Sequence, residues 1–390
     1  MRWRARSPLA RSGRACLLLA LLASVVLTTG AGSVGAQAGW QVLESGASAE
    51  FAQSLNAAVR VSAPTPITRA DLFFGRVGDR LVRRVYVPVS TGTTVSVDHG
   101  EVLEPGQYAP GTELRLWWRL TDRTGATFDT PEQVIRYDDE AHPWESVSER
   151  GVTLYYYGVR PGRAQGWLDN AHTALGRIEK ELGLSAEAPI DIYVYRSERD
   201  MQGAVATRSD DYDAMVTTLG VAVDEDTLIL LGSHSDMEET MAHELSHIIV
   251  GMATENPYAG LPRWLDEGLA MLAEGKLPRE NAAALQRAIE TDRLLSVRSM
   301  TSYSGQASEV NLFYGECYSV VSFMLENYGR ERMQALLEVF SKGASQHDAL
   351  REVYDITIEE LDALWRESLG VPPRPAPQAP DSADALSGGH

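Results

Sequence analysis

Apolar and polar residues alternate in short runs along the first third of the chain. In the run TELRLWWRLTD, Leu114, Leu116 and Trp118 alternate with polar neighbours before an Asp-Arg-Thr-Gly turn sequence. Three further runs of the same kind are NAAVRVS, RRVYVPVS and TTVSVDHG. Short alternating strands separated by turn residues are typical of antiparallel sandwiches. The pattern therefore predicts an Ig-like or fibronectin-like β-sandwich domain over residues 39–140.

After residue 140 the pattern changes to strands that alternate with helices. The runs GVTLYYYGV and APIDIYVYRS have strand character, and Pro161 and Gly183 bracket a helical stretch between them. Residues 220–223 and 227–231 are predicted to form a strand pair. Segments with helical periodicity follow at residues 236–252, 262–274, 279–293, 311–328, 330–341, 346–353 and 358–369. The predicted class is α+β, with a mixed sheet and a helical half in a second domain over residues 141–370.

The two ends of the chain differ in composition from the predicted domains. Five arginines precede the apolar run CLLLALLASVVLTT, and small residues ending in Ala36-Gln37-Ala38 follow it, which is the layout of a secretory signal peptide. We expect residues 1–38 to be removed and the mature protein to be secreted, without stable membrane insertion. The alternative is an uncleaved signal anchor that tethers the protein to a membrane. Residues 371–390 are rich in Pro, Ala and Ser and are predicted to be a disordered tail.

Charge excludes two classes of partner. The chain has 35 basic and 54 acidic side chains, and removal of a leader with five arginines and no acid changes the formal charge from −19 to −24. Such a protein repels nucleic acid and anionic membrane surfaces. Cys317 would be the one cysteine left, which excludes an intramolecular disulfide. The composition does not indicate an oligomeric state.

The strongest chemical signal is the word HELSH within ETMAHELSHIIVGMA. On a helix, His243 and His247 lie on one face and can present two imidazoles to one metal ion. Glu244 is rotated by about 100° from His243, so its carboxylate can reach a metal-bound water as a general base without being a ligand. Met241 and Leu245 belong to an apolar stripe that would bury the helix, and buried histidines need polar partners.

A third ligand must come from elsewhere, because a catalytic zinc takes three protein ligands and a water. The segment PRWLDEGLAMLAEG predicts a second buried helix that begins near Pro262. Glu267 is the predicted ligand because its neighbours are apolar or small, and Asp266 is the alternative.

These two motifs together resemble the gluzincin metallopeptidases, the clan that contains thermolysin and aminopeptidase N. The segment from FYGECYS to RESL is also similar to the helical half of the secreted bacterial peptidase MA-like family, so the resemblance covers residues 144–369. It implies a thermolysin-like domain that binds zinc through His243, His247 and Glu267. It also implies that Glu244 is the general base and that the substrate is a peptide or a protein.

The same resemblance suggests a residue for the oxyanion. In aminopeptidase N-like relatives a tyrosine donates a hydrogen bond to it, and Tyr314 matches that position better than Tyr318 does. The alternative is that both tyrosines belong to an apolar helix stripe. The chain has neither a Gly-x-Met-x-Asn stretch nor the thermolysin form of the ligand helix, so the choice between exopeptidase and endopeptidase stays open.

The function predicted from the sequence is a secreted zinc-dependent metallopeptidase. One alternative is a secreted binding or adhesion protein with a non-catalytic zinc site, and another is a zinc hydrolase of non-peptide amides. We expect an extended substrate to pair with the strand at residues 227–231, which directly precedes the metal helix. Trp117 and Trp118 face opposite sides of a strand, so one is expected in the core, and the other is expected to be exposed or, as the favoured alternative, to pack on the second domain.

Overall fold

Two β-sheets and a group of helices make up the part of the chain that the computed structural model describes. The described residues are 39–206, 220–224, 226–258, 260–302 and 307–374. The predicted leader and all but the first residues of the predicted tail lie outside this part. The α+β class is confirmed.

The first sheet contains seven antiparallel strands. They are β1 (Gln41–Glu50), β2 (Ser54–Arg76), β3 (Arg83–Val87), β4 (Gly92–Val102), β5 (Thr112–Asp122), β6 (Thr127–Asp129) and β7 (Gln133–Tyr137). The first half of β2 pairs with β1 and β4, and its second half pairs with β3 and β5. The pairing shifts register between Ser62 and Ile67. Because β2 runs through both halves, the strands form one continuous curled sheet.

Side-chain alternation in β5 and β2 builds the core of this sheet. Leu114, Leu116 and Trp118 are at most 1% exposed, as the alternating pattern predicts. Trp117 lies on the opposite face, where its ring stacks on Phe73 with centroids 5.2 Å apart. The expectation that one of the two tryptophans lies in the core is confirmed for Trp118, and Trp117 is half-buried against Phe73 of the same sheet.

The second sheet contains β8 (Glu145–Glu149), β9 (Val152–Tyr156), β10 (Ile190–Tyr195), β11 (Gly220–Asp224) and β12 (Thr227–Leu231). Their order is β11-β12-β10-β9-β8. The three central strands are parallel, while β8 and β11 run antiparallel to their neighbours. Every residue of β12 is buried, as expected for a strand that is covered on both faces. The predicted strand pair is confirmed.

The position of β12 contradicts the predicted role of this strand in substrate binding. Its backbone pairs with β10 on one side and with β11 on the other. An interior strand has no free row of backbone groups for a peptide. Among the strands of the described residues, β11 is the edge strand on this side of the sheet.

The helices of the described residues follow the predicted periodic segments closely. They are α1 (Pro161–Leu182), α2 (Glu198–Met201), α3 (Met237–Thr254), α4 (Arg263–Ala273), α5 (Arg279–Thr291), α6 (Val310–Tyr328), α7 (Arg330–Ser341), α8 (Gln346–Tyr354) and α9 (Ile358–Ser368). Of the helices in the described ranges, none combines the length and apolarity needed to cross a membrane.

Close packing of α4 fixes its position between α3 and α6. Trp264, Leu265 and Leu269 are fully buried in the core that α3 shares. Gly268 faces α6, and a Cβ at this position would clash with Val321 and lie 2.5 Å from the carbonyl oxygen of Cys317. The missing side chain thus lets the two helices approach, which places the neighbouring residue, Glu267, inside the fold.

An aromatic cluster joins the two sheets. Trp144 lies 5.0 Å from Tyr157 and from Tyr195 and 5.3 Å from Tyr193, measured between ring centroids. Its indole Nε1 donates to the carbonyl oxygen of Asp139 (2.9 Å), and the Tyr195 hydroxyl donates to the Asp139 carboxylate (2.8 Å). Because Asp139 is the second residue after β7, these bonds tie the end of the first sheet to the centre of the second.

Candidate metal centre

The two histidines of HELSH project from α3 toward one point. His243 and His247 are one helical turn apart, and their ring centroids are 4.9 Å apart at an interplanar angle of 76°. Their side chains are 15% and 19% exposed, so the pair lies at the wall of the fold and not in its centre. The helix is held there by Met241, Leu245 and other buried residues of the predicted stripe.

Glu267 of α4 meets both imidazoles. Its Oε2 atom lies 3.3 Å from Nε2 of His243 and 3.6 Å from Nε2 of His247, and its side chain is 2% exposed. Around a tetrahedral zinc with bonds of about 2.0–2.1 Å, ligand atoms are about 3.4 Å apart. The Glu267 oxygen therefore lies at the spacing of zinc ligands from each Nε2 atom, and the ligand atoms of the three residues all lie within 4.8 Å of one another. Within the described residues these three side chains form a group able to hold a metal.

Two further carboxylates hold the outer nitrogens of the histidines. Nδ1 of His243 lies 2.9 Å from Oε1 of Glu274, and Nδ1 of His247 lies 3.0 Å from Oδ1 of Asp266. A carboxylate at Nδ1 fixes the ring and the tautomer that leaves Nε2 available as a ligand. Asp266 is thus a partner of a histidine, and Glu267 is the residue that reaches the common point.

Arg263 orients the acidic side chains from the start of α4. Its Nη1 atom lies 3.2 Å from Oδ2 of Asp266 and 3.7 Å from Oε1 of Glu267. Each carboxylate therefore directs one oxygen to the guanidinium and the other to a histidine.

The electrostatics of the cluster favour a bound cation. Burial opposes protonation of His243, but hydrogen bonds with Glu267 and Glu274 outweigh it and raise the His243 pKa to about 9. Burial also favours the neutral form of Glu267, yet the two histidines beside its carboxylate hold its pKa well below the ordinary value. The carboxylates thus attract positive charge to the histidines, and a metal that binds Nε2 must displace protons there.

Glu244 lies beside this group at the end of the second sheet. Its side chain is half-buried on α3. Gly220, the first residue of β11, approaches it so closely that a Cβ on the glycine would lie 3.2 Å from Cγ of Glu244. The carboxylate of Glu244 is therefore placed between the metal helix and the edge strand.

Tyr314 is the tyrosine that α6 brings to the cluster. Its ring centroid lies 6.2 Å from that of His243, and the side chain is half-buried. In the described part of the chain, Tyr318 makes no ring contact with either histidine. The structure thus brings five predicted residues together, namely His243, Glu244, His247, Glu267 and Tyr314.

The donor set fits zinc better than the hard cations. Two imidazole nitrogens and one carboxylate oxygen form a common catalytic zinc site, whereas calcium and magnesium prefer oxygen ligands. The carboxylates on both Nδ1 atoms are also typical of zinc-binding histidines.

Glu274 is a residue of the site that was not predicted from the sequence, although its spacing from Glu267 could have indicated it. Glu274 directly follows α4 and lies seven residues after Glu267, which is two helical turns. A carboxylate with that spacing from a ligand shares its face of the helix and can reach the same histidine pair.

Comparisons with known proteins connect this site to a family. A family model described as the peptidase MA superfamily matches residues 170–371, just over half of the chain, and this range contains all of the site residues named above. No curated protein sequence matches the chain.

Similarity to solved structures is confined to parts of the chain. Catalytically inactive OgpA from Akkermansia muciniphila in complex with an O-glycopeptide substrate is 8% identical, with a TM-score of 0.19 over 25% of this chain and 28% of that chain. A β-1,3-glucan binding domain of carbohydrate-binding module family 56 is 16% identical, with a TM-score of 0.16 over 24% of this chain and 96% of that chain. A polysaccharide deacetylase from Bacillus cereus is 11% identical, with a TM-score of 0.20 over 42% and 53% of the two chains.

Proposed function

The chain belongs to the peptidase MA superfamily, and from this membership and the geometry of its site we propose that it is a zinc-dependent metallopeptidase that hydrolyses peptide bonds. One observation carries the proposal. The Nε2 atoms of His243 and His247 lie 3.3 and 3.6 Å from one oxygen of Glu267, beside the carboxylate of Glu244. An acid of this kind next to three metal donors is the arrangement that metal-assisted hydrolysis needs.

His243, His247 and Glu267 would hold the zinc ion. When bound, zinc supplies a Lewis acid that polarises the scissile carbonyl and lowers the pKa of a water molecule. Glu274 and Asp266 keep the two imidazoles oriented through Nδ1, so that the ligand atoms stay in place during turnover.

Glu244 would move the proton. Its carboxylate accepts a proton from the attacking water and then donates it to the nitrogen of the leaving amine as the peptide C–N bond breaks. The half-buried position of Glu244 beside the metal ligands is suited to both transfers. Tyr314, which packs on His243, would donate a hydrogen bond from its hydroxyl to the oxyanion.

The edge strand β11 would align the substrate. It has a partner strand on one side, β12, and its first residue, Gly220, lies against Glu244. A peptide that pairs with its outer side is held by main-chain bonds, which suit many sequences. This role replaces the one that the sequence suggested for β12.

Replacement of Glu244 by glutamine tests the proposal. We expect Glu244→Gln to retain one equivalent of zinc and to lose cleavage of a mixed peptide library, because the amide keeps the shape and cannot accept the proton. Glu238→Gln, an exposed change on the same helix, is the control and should cleave as the wild type does. Zinc is measured by elemental analysis, and products by mass spectrometry with and without a chelator. Cleavage by the Glu244→Gln variant would refute the role of Glu244, and full zinc without any wild-type cleavage would favour a binding or adhesion protein.

The domain boundaries and the secretion predicted from the sequence are part of the same proposal. We propose a gluzincin-type domain over residues 141–370 that follows an Ig-like domain over residues 39–140, and a mature protein that is secreted after loss of residues 1–38. Support comes from the HELSH and WLDEGLA motifs, from the separate strand sets of the two sheets, and from the leader-like sequence. The products of the library experiment would also show whether interior or terminal bonds are cut.

A further inference from the structure

A cavity of about 470 Å³ opens at the carboxyl ends of the parallel strands, outside the metal centre. It lies where β9, β10 and β12 end and where α1 begins, and its wall includes residues that follow each of these strands, such as Gly158, Arg196 and Gly232. In open sheets that contain parallel strands, the crevice at the carboxyl ends is a frequent place for ligands. This position alone does not select a ligand, but the charge of the wall does.

Among the described residues that line the cavity, three are arginines, namely Arg160, Arg163 and Arg196, and none is acidic. The chain as a whole carries 54 acidic and 35 basic side chains. A concentration of positive charge at one concave place on such an acidic protein attracts anions locally, against the repulsion from the rest of the surface.

Two of these guanidinium groups, those of Arg160 and Arg196, form no ion pair in the described ranges. Asp200 interacts with Arg196 electrostatically, and its carboxylate accepts a hydrogen bond from the Tyr157 hydroxyl at 2.7 Å. Gly158 makes room for Arg196, because a Cβ on this glycine would lie 2.6 Å from Nη1 of the guanidinium. The backbone is thus shaped so that Arg196 lies at the cavity wall.

The third arginine and an indole complete the wall. Arg163 donates from Nη2 to the carbonyl oxygen of Gly232 (3.3 Å), and its guanidinium lies 5.0 Å from the ring centroid of Trp167. Trp167 is only 8% exposed, so its ring is a fixed part of the wall on which this guanidinium lies.

The cavity shares an edge of the sheet with the proposed base. Gly220 pairs with Leu230, next to the end of β12, and lies against Glu244. The cavity begins at Gly232, beyond the end of the same strand, and continues to β10 and β9. With strands about 4.8 Å apart, its arginines lie about 10–15 Å from the edge strand, a distance that three to five extended residues span at about 3.3 Å each.

From the position of the cavity and the three guanidinium groups at its wall, we infer that this cavity binds an oxyanion: the carboxylate, phosphate or sulfate group of a ligand. If the chain is the peptidase proposed above, on which this part rests, the oxyanion belongs to an acidic group of the substrate a few residues away from the cleaved bond. A free inorganic oxyanion is the other source of the same chemistry. Guanidinium groups suit both because they form charge-assisted hydrogen bonds to paired oxygens.

Binding of inorganic phosphate to the full chain tests the site without any reference to peptidase activity. We expect saturable binding by calorimetry, weakened by about tenfold or more in Arg160→Ala/Arg196→Ala because two charge-assisted contacts are lost. The double variant Arg60→Ala/Arg298→Ala removes the same charge from exposed ion pairs elsewhere and should bind phosphate as the wild type does. Ser233→Asp, which adds an acid to the lining, should also abolish binding. The inference is overturned if the wild type shows no saturable binding or if the cavity variants and the control bind equally.

Paired peptides then distinguish the two sources. Each pair differs by Glu against Gln at one position three to five residues from the cleaved bond, and the ratio of kcat/KM within a pair is compared between proteins. If the oxyanion belongs to the substrate, the Glu/Gln ratio of kcat/KM is above one in the wild type and in the control. In Arg160→Ala/Arg196→Ala the same ratio falls toward one. Equal ratios together with lost phosphate binding assign the site to a free oxyanion. If neither the wild type nor any variant cleaves a peptide, the proposed function fails. The phosphate measurement still shows whether the cavity binds an oxyanion.

Discussion

The carboxylate behind His243 is a residue whose effect on the metal can be predicted separately from catalysis. Glu274 contacts Nδ1 of His243 at 2.9 Å and is 10% exposed. Glu274→Gln keeps a possible acceptor and removes the charge that makes the imidazole a stronger ligand. We expect zinc affinity to fall by about 10–100-fold, measured by competition with a chromophoric chelator. Glu331→Gln, at a side chain that is 81% exposed, is the control, and unchanged affinity of the Glu274→Gln variant would contradict the role of Glu274.

Glu316 gives a prediction about the pH dependence of stability. Its side chain is fully buried on α6, and both carboxyl oxygens lie 3.0 Å from the backbone nitrogen of Leu295. Burial raises the Glu316 pKa to about 8, against an ordinary value of 4.5 and despite the hydrogen bond from Leu295 and the nearby Arg374. Between these values the unfolded chain releases this proton and the folded chain keeps it, so the free energy of unfolding falls by about 1.4 kcal/mol per pH unit from this group.

The substitution Glu316→Gln removes that titration and keeps an acceptor for Leu295. We expect the variant and the wild type to have similar stability near pH 4.5, and the variant to become more stable by up to a few kcal/mol as the pH rises to about 8. The measurement is chemical denaturation across this pH range. Glu326→Gln, an exposed change on the same helix, is the control. Parallel pH profiles of the wild type and the Glu316→Gln variant would show that Glu316 is already ionised in the fold.

For single residues, the sequence predicts the site residues that are spaced within one helix. It does not predict the residues whose contacts depend on the angle between two helices. His243, Glu244 and His247 follow from the spacing of HELSH, and the structure groups the two histidines with Glu267. The partner roles of Asp266 and Glu274 depend on the angle at which α4 meets α3, which no local pattern encodes. Periodicity indicates which face of a helix is apolar, but it does not specify the polar contacts that a neighbouring helix completes.

Among the helices, the contact between α4 and α6 is the one that most directly supports the metal site. Gly268→Ala would place a methyl group against Val321 and the carbonyl oxygen of Cys317. Because both partners are buried, we expect a loss of about 1–3 kcal/mol in the free energy of unfolding. The shift of α4 that relieves the clash would also move Glu267, so zinc affinity should fall in the same variant.

Gly251→Ala is the matched control for this change. Gly251 is exposed on α3 and has no atom within 4 Å of a Cβ position, and alanine favours helix over glycine by about 1 kcal/mol. The control should therefore be as stable as the wild type or more so, by thermal and chemical denaturation. If Gly268→Ala behaves in the same way and binds zinc normally, the close approach of α4 and α6 is not needed for the site.

The positions of the strands along the chain were predictable from the sequence. The order in which the strands pair in each sheet was not. The alternating runs and the pair at residues 220–223 and 227–231 all appear as strands. The order β11-β12-β10 depends on pairing between distant segments, and it makes β12 an interior strand. Continuity of β2 through both halves of the first sheet likewise depends on the register shift between Ser62 and Ile67, which alternation alone does not reveal.

For the whole molecule, the connection between the two sheets is the feature that the sequence pattern did not locate. Trp118 is in the core of the first sheet and Trp117 stacks on Phe73. Trp144, in the short segment between β7 and β8, makes the aromatic contacts that join the sheets. Such a segment has no periodicity because its contacts are tertiary, so its role becomes visible only when both sheets are in place.

Trp144 should therefore control whether the two sheets unfold together. Its ring contacts Tyr157, Tyr193 and Tyr195, and its indole N–H bonds to Asp139. Trp144→Ala removes these contacts, and large-to-small changes of this kind cost about 3–5 kcal/mol when fully buried and less at this half-buried position. We expect calorimetry to show one unfolding transition for the wild type and two for the variant, since each sheet keeps its own core. The control Trp117→Ala removes an indole from the outer face of β5 and should leave a single unfolding transition. Two transitions in the wild type itself would mean that the aromatic cluster does not couple the sheets.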